Sequence, residues 1–383
     1  MKRCASVLAL LLIICFMVIC VHNVKAEAAV EPNFWETLTP MQQPRGYLGV
    51  AVVNEKIYAI GGTTSGGLFP ASSDDVGTNE MYDPATDTWT QKASMPTPRS
   101  KFAIAVYQNK IYCIGGQVGT KKGKYDIGNG EFIEMGYVFI NSAVNEVYDP
   151  ATDTWETKAS APEEGMFMQA AVLDNRIYMI DGPITEVYNP ENDSWTTKAS
   201  APIPAEDLGP NGSNDYVLIS LNDKLYVVGE FSDQILEYDP LTDNWSQGAT
   251  VPIPGDDYWN VEGGATTGRV APKRLHLLFA LRGIPETGSK AYDPDSNDWI
   301  TCKPLPTTNR SHFGVAVVED KLYAIGGDTS DGLGHHNSSA LNERYTPIGY
   351  IPEFPSWTIL PLLIVATLVS VTIRNRIRKN GLE

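Results

Sequence analysis

Three arginines stand at matching points of a repeated pattern: Arg45 after Pro44, Arg99 after Pro98 and Arg310 after Asn309. A guanidinium is planar, permanently charged and forked, so three of them gathered on one surface suit recognition of a carboxylate. The alternative use is internal, each arginine pairing with an acidic neighbour of the fold. A second basic group is denser, with Lys121, Lys122, Lys124 and Tyr125 either facing a ligand or forming a solvated loop tip. Tyr258 and Trp259, following Asp256 and Asp257, combine an aromatic platform with carboxylates as sugar-binding surfaces do; the same residues could pack a loop onto the protein.

Other chemistries find less support. Beyond residue 26 the histidines are His276, His312, His335 and His336, and the adjacent pair on extended chain would point to opposite sides. There is no EF-hand loop, zinc pattern or phosphate-binding loop, and no spacing singles out an acid/base pair. No catalytic residue, metal site or cofactor is therefore assigned. The net charge is −17; setting aside the +3 of residues 1–26 and the +2 of residues 351–383 leaves −22 for residues 27–350. Such a surface repels nucleic acid and anionic lipid. It serves solubility or draws divalent cations, for which no compact ligand motif occurs.

These residues are positioned by a repeat. The phrase YDPATDTW (Tyr82, Trp89) recurs at Tyr148 and Trp155, then as YNPENDSW (Tyr188, Trp195), YDPLTDNW (Tyr238, Trp245) and YDPDSNDW (Tyr292, Trp299). Proline fixes φ and the Asp or Asn side chains bond nearby backbone, so the phrase reads as a tight reversal between strands. Upstream lies a second phrase: KIYAIGG ending at Gly61 and Gly62, KIYCIGG at Gly115 and Gly116, RIYMIDG at Asp181 and Gly182, KLYVVGE at Gly229 and Glu230, and KLYAIGG at Gly326 and Gly327. The glycines allow twist and close approach, and Tyr and Trp supply large surfaces to bury against a neighbouring unit. A spacing of 40 to 66 residues between successive tryptophans marks a repeat array, each unit reading as four short antiparallel strands. The fifth unit, RLHLLFALRG, lacks its glycine pair. The last unit reaches Tyr345, Thr346 and Pro347 without a Trp, and Trp35 in the segment FWET supplies the missing strand from the other end of the chain.

The paired phrases closely resemble the kelch repeat. The resemblance implies an all-β fold over residues 27–350: a six-bladed kelch-type β-propeller with four antiparallel strands per blade, the sixth closed by the N-terminal strand. Kelch propellers often place residues at the Arg45, Arg99 and Arg310 position near the channel mouth, and in some members arginines there hold acidic ligands. Their enzymes include a copper oxidase, which needs histidine and tyrosine ligands with a modified cysteine, and a sialic acid mutarotase, which needs only one or two acid/base groups. The long insertions at 63–78, 117–142 and 328–340, and the joining loops at 202–215 and 252–268, fall on one face. Long loops on a rigid scaffold are where binding concentrates. The expected function is a protein- or glycan-binding module acting through that face. The alternatives are a carbohydrate-active enzyme of the mutarotase type and a structural cell-envelope component.

The ends add an address. Residues 1–26 read as a secretory signal peptide, with Lys2 and Arg3 before an apolar run and small residues near Ala26. After a linker at 351–356, the uncharged run 357–373 is just long enough for a membrane helix, and the basic tail 374–383 orients it with the propeller outside. Pro352, Glu353 and Phe354 resemble the PEF-type sorting signal of archaeal surface proteins, which implies a sorting enzyme as partner. Asn-x-Ser sequons at Asn192, Asn211, Asn244, Asn309 and Asn337 fit an exported chain. Cys113 and Cys302 fall in repeats too far apart to bridge, so two thiols are expected.

Overall fold

A computed structural model describes residues 33–65, 74–126, 132–203, 216–229, 234–252, 258–281, 289–307, 310–330 and 336–350. The expected signal segment, linker, membrane helix, basic tail and sorting motif lie outside these residues, as do His335 and the sequons at Asn211 and Asn309. Among the described residues there is no helix long and apolar enough to cross a membrane.

The described chain is all β. Six four-stranded antiparallel sheets follow one another. The first holds Gly49–Val53, Lys56–Ile60, Asn79–Asp83 and Thr88–Lys92; the second Ala103–Tyr107, Lys110–Ile114, Asn145–Asp149 and Thr154–Lys158; the third Gln169–Leu173, Arg176–Asp181, Ile184–Asn189 and Ser194–Thr197. The fourth holds Tyr216–Leu221, Lys224–Gly229, Gln234–Asp239 and Asn244–Thr250, and the fifth Tyr258–Ala265, Leu275–Leu281, Ser289–Asp293 and Asp298–Thr301. The sixth joins the two ends of the described chain: Gly314–Val318, Lys321–Ile325 and Asn342–Thr346 are completed by Phe34–Thr37, with Trp35 opposite Tyr345. The first strand of each sheet lies against the first strand of the next, and that of the sixth against that of the first.

Burial follows this arrangement. The second strands are buried almost continuously, as at Lys56–Ile60 and Lys110–Ile114, because neighbouring sheets cover both faces. The fourth strands, such as Thr154–Lys158, are mostly exposed. First and second strands are joined by two-residue turns with both residues left-handed: Asn54 and Glu55, Gln108 and Asn109, Asp174 and Asn175, Asn222 and Asp223, Glu319 and Asp320. These are the turns whose twist matches a hairpin. The fifth sheet instead inserts residues 266–274, and buried Asp320 of the sixth holds that segment by accepting from the Thr267, Val270 and Ala271 amides.

The repeated Tyr to Trp phrase does more than reverse the chain. Tyr148 Oη donates to Asp153 Oδ1 (2.6 Å), which also accepts the Ala93 amide (2.8 Å) at the exit of the preceding sheet, while Trp155 Nε1 donates to the Ala93 carbonyl (2.8 Å). The same clasp joins Tyr82, Asp87 and Trp89 to Thr39; Tyr188, Asp193 and Trp195 to Ala159; and Tyr238, Asp243 and Trp245 to Ala199. In the sixth sheet Asn33 takes the aspartate's place, accepting from Tyr345 Oη (2.9 Å) and the Lys303 amide (2.6 Å), and Trp35 Nε1 donates to the Lys303 carbonyl (2.9 Å). In the fifth sheet Tyr292 donates to Asn297, and buried Trp299 Nε1 has no partner among the described residues. The tyrosines of the second strands have a matching role: Tyr58, Tyr112 and Tyr178 lie 5.7 to 5.9 Å, ring to ring, from Tyr148, Tyr188 and Tyr238 of the following sheets.

The structure departs from expectation in two segments. The segment 117–142 is not simply a loop: Gln117–Asp126 pairs with Phe132–Asn141, whose Phe, Ile, Tyr and Val content favours a strand. Tyr258 and Trp259 likewise belong not to a joining loop but to Tyr258–Ala265, the first strand of the fifth sheet. The degraded fifth unit falls into register, Leu275 facing Tyr292 as Ile57 faces Tyr82. Its His276 is buried and held neutral, burial pushing its pKa down to about 3. Cys113 and Cys302 are buried and unbridged, and burial pushes the Cys113 thiol up to about 12.

Asp153→Ala removes two hydrogen bonds of the clasp and should destabilise the protein by about 2 kcal/mol, whereas Asp153→Asn keeps an acceptor oxygen and should cost less than half as much. Equal denaturation midpoints for the two variants would contradict the clasp. Deleting residues 33–37 strips the sixth sheet of a strand and of Trp35, so the truncated chain should melt lower or aggregate on heating; an unchanged melting curve would refute the coupling of the two ends.

Candidate functional site

The three arginines are buried to within 1% of complete. Arg45 donates to the Ala59, Gly61 and Thr78 carbonyls and to Glu80 Oε1 (3.2 Å). Arg99 pairs with Glu146 Oε2 (2.5 Å) and donates to the Cys113 carbonyl (2.8 Å). Arg310 pairs with Glu343 Oε2 (3.3 Å) and donates to the Ala324 carbonyl (3.1 Å). Each acidic partner sits on the third strand of the arginine's own sheet, so these are pairs within a sheet rather than between sheets. They offer no exposed guanidinium for a carboxylate. Burial pushes Arg45 and Arg310 down to about 10 against the opposing pull of Glu80 and Glu343, so both stay cationic at neutral pH.

Their backbones do a second job. The amide of the second glycine of a pair donates to the carbonyl of the next arginine position: Gly62 to Arg99 (2.9 Å), Gly116 to Gly165 (2.8 Å), Gly327 to Arg45 (2.8 Å). A Cβ on Gly61 or Gly326 would come within 2.6 Å of the Arg99 or Arg45 carbonyl oxygen, which explains the requirement for glycine.

Two residues beyond each such position the chain turns left-handed at non-glycine residues: Tyr47 (φ 54°), Lys101 (φ 56°), Phe167 (φ 62°) and His312 (φ 52°). Bulky residues adopt this conformation at a cost of about 1–2 kcal/mol each, and such strain clusters at functional sites. A relay of backbone hydrogen bonds joins them, from Phe167 N to Lys101 O (2.8 Å), Lys101 N to Tyr47 O (3.0 Å) and Tyr47 N to His312 O (3.0 Å). Their side chains converge. The Lys101 ammonium lies 4.7 Å from the Tyr47 ring centre and 4.8 Å from that of Phe167 and donates to Gln117 Oε1 (2.9 Å), while the Tyr47 and His312 rings stack at 4.0 Å. His312 also meets Asp328 at 4.0 Å.

These four residues, with Tyr216 and Glu262, line a central cavity of about 200 Å³ between the first strands. Aromatic faces, an ammonium, an imidazole and a carboxylate around one cavity can hold a small polar ligand by stacking and charge. Among the described residues no group of three or more His, Cys, Asp or Glu side chains is placed to hold a metal ion. None of the cavity residues was singled out from the sequence except His312, in the survey of histidines. The signal was there in alignment, since Tyr47, Lys101 and His312 each stand two residues after one of the arginines.

Of the other expected site residues, Lys121, Lys122 and Tyr125 lie on Gln117–Asp126, opposite Val138, Tyr137 and Ile133. That hairpin starts at Gln117, which contacts Lys101, so it is rooted at the cavity rim. Tyr258, opposite Leu281, opens the first strand of the fifth sheet, and Trp259 follows it.

The Kelch motif model matches residues 44–96 and 309–361, which include the first sheet and most of the sixth. The chain carries kelch motifs. The chain is 27% identical over 353 residues to Kelch-like protein 15 of Danio rerio, covering 85% of this chain and 44% of that one. It is 30% identical over 148 residues to Beta-scruin of Limulus polyphemus, covering 39% and 14%, and 28% identical over 171 residues to Kelch repeat and BTB domain-containing protein 12 of Homo sapiens, covering 42% and 25%. The chain thus spans less than half the length of these curated relatives. The solved structure of YjhT has a similar fold, with a TM-score of 0.59 and 16% identity over 80% of this chain and 95% of that one. The kelch repeats account for the alternation of recurring phrases with sheet-specific insertions: the phrases build the propeller, and the insertions differ from sheet to sheet.

Two measurements follow for this kelch propeller. Arg99→Ala leaves Glu146 buried without its cation and should cost about 3–5 kcal/mol, whereas Arg99→Met with Glu146→Leu should recover most of that loss. A double variant as unstable as the single would show that the ion pair is not the reason. Burial pushes Asp75 and Asp181 up to about 6, so the folded state holds their protons more tightly than the unfolded chain. Their contribution to stability therefore falls as pH rises from about 4 to 6. Asp153, held down by its Tyr148 hydrogen bond, and Asp243, held down by the Ala199 amide, contribute above their ordinary value of 3.8 and lose that contribution as pH falls below it. The melting temperature should thus be higher at pH 5 than at pH 7.5 and fall again below pH 3.5; a monotonic rise from pH 5 to 7.5 would contradict this.

Proposed function

We propose that the chain is a six-bladed kelch propeller displayed at a cell surface, anchored through residues 357–373 with its C-terminus inside, which binds a protein or glycan through the face carrying its insertions. One observation carries the reading: the segments following the glycine pairs of the second and sixth sheets build extra strands, Gln117–Asp126 with Phe132–Asn141 and Asp328–Ser330 with His336–Ser338, at the same ends of their sheets. The proposed contact residues are Lys121, Lys122 and Tyr125 of the hairpin and Tyr258 and Trp259 of the first strand of the fifth sheet. The buried arginines support this surface from below by fixing the segments that lead into the sheets. The kelch relatives fit a protein partner, and the proposed signal peptide and C-terminal anchor set the location, with a sorting enzyme acting at residues 352–354 as a further partner.

The test is a peptide and glycan array probed with the full chain and with a variant in which residues 119–139 are replaced by a short Gly-Ser turn. Every hit should bind the folded variant at least tenfold more weakly; undiminished binding would remove the hairpin from the function. A carbohydrate-active enzyme of the mutarotase type is the second reading, favoured by the cavity lined by Lys101, His312 and Glu262. Anomer exchange followed by NMR decides it: Lys101→Met should abolish any acceleration produced by the parent protein.

A further inference from the structure

The third sheet repeats the arginine arrangement without the arginine. Gly165 stands four residues before Gln169–Leu173, as Arg45, Arg99 and Arg310 stand before Gly49–Val53, Ala103–Tyr107 and Gly314–Val318. Its backbone is in the same place, the Gly165 carbonyl accepting from Gly116 as the Arg99 carbonyl accepts from Gly62. The acidic partner is retained as well. Glu186 pairs across the sheet with Met179, as Glu80 does with Ala59, Glu146 with Cys113 and Glu343 with Ala324.

The surroundings of Glu186 are otherwise reversed in charge. It is 5% exposed, and Oε2 is buried with no hydrogen-bond partner among the described residues. Glu146 accepts from Thr97, two residues before Arg99; at the matching point before Gly165 stands Glu163. Asp181 replaces the first glycine of the pair, and a Cβ on Gly165 would collide with its carboxylate. That carboxylate therefore lies beside the backbone where the other three sheets launch an arginine side chain. Burial, together with Glu163 and Asp181, holds the Glu186 carboxyl above its ordinary range. A buried carboxylate without a cation is costly. The fold does not demand one here, since the fourth sheet has Leu236 at this register, opposite Val227.

We infer that the third sheet is an arginine socket whose guanidinium comes from outside the chain: Glu186 and Asp181 receive the arginine side chain of a partner protein. The neighbouring sheets show the match in chemistry, a forked cation bridging a third-strand carboxylate and a second-strand carbonyl. Here the carbonyl at that register is that of Met179. The site is at the same end of the sheets as the hairpin, so the inference deepens the protein-binding reading and rests on it for the source of the arginine.

The full chain is titrated by calorimetry with N-acetyl-arginine amide and with its neutral isostere N-acetyl-citrulline amide. The arginine derivative should bind at least tenfold more tightly. Glu186→Gln should lose that preference, and so should the double variant Gly165→Arg with Asp181→Gly, which supplies the guanidinium from within and should melt higher than the parent. If Glu186→Gln fails to fold, the double variant alone decides. Equal binding of the two amides, no binding, or retained binding by the folded double variant overturns the socket. The protein with residues 119–139 replaced should still bind the arginine amide, so failure of the hairpin reading and failure of the socket are separate results.

Discussion

A four-stranded sheet of this size cannot bury its own two faces, and the stability of the molecule rests on how each sheet is fastened to the one before it. The fastening is the clasp in which one Asp or Asn oxygen accepts both a tyrosine hydroxyl from its own sheet and a backbone amide leaving the previous sheet, with the tryptophan indole donating to the carbonyl alongside. It uses a residue in the left-handed region, such as Asp87 or Asp153, where Asp and Asn are tolerated because they are short and polar. The hydroxyl of Tyr148 and the ring of Tyr58 meet at the same boundary, so hydrogen bonding and aromatic packing reinforce each other between sheets. Because Asn33 and Trp35 perform this act for the sixth sheet, the two ends of the described chain are held by the same chemistry as the clasps of the first four sheets.

With the outer rim fastened in this way, the inner rim is organised by the arginines and the glycine pairs. A buried guanidinium ties the lead-in segment to its own sheet, and the same residue's carbonyl receives the glycine amide of the previous sheet. The double hold is complete at Arg45 and Arg99, ahead of Tyr47 and Lys101. Phe167 follows Gly165, held by its carbonyl, and His312 follows Arg310, held by its guanidinium, so each of these strained residues around the central cavity has at least one tie behind it. The third sheet breaks the rule at the same point, with Gly165 and Asp181 in place of arginine and glycine. This deviation from the repeat sits on the inner rim, at the end of the sheets that carries the hairpin.

Much of the architecture was legible in the sequence. The Tyr and Trp phrases marked the third and fourth strands, the Lys-Ile-Tyr phrases marked the second, and Trp35 was recognisable as the tryptophan that the last unit lacked. These readings depend on local periodicity and on residue types with one dominant physical use. The segments at 117–142 and 252–268 were read as loops because nothing in a single sequence distinguishes an insertion that pairs with itself, as Gln117–Asp126 does with Phe132–Asn141, from one that does not. The site was less legible still. Arg45, Arg99 and Arg310 were noticed for the right spacing, but their partners Glu80, Glu146 and Glu343 lie 33 to 47 residues away in the chain, and only folding brings them together.

What the sequence determined by itself is the unit: its strands, its turns and the points at which large aromatic surface must be covered, since these follow from period, propensity and the geometry of Pro, Gly, Asp and Asn. The tertiary structure decided what each charged or aromatic side chain faces. An arginine suited to bind an external carboxylate became a buried structural tie, a phrase suited to a turn became a clasp between sheets, and Lys101, inconspicuous in the chain, came to lie between two aromatic rings at a cavity. The physical reason is that a side chain's charge and shape are local properties, whereas its burial and its partner are set by residues distant in sequence.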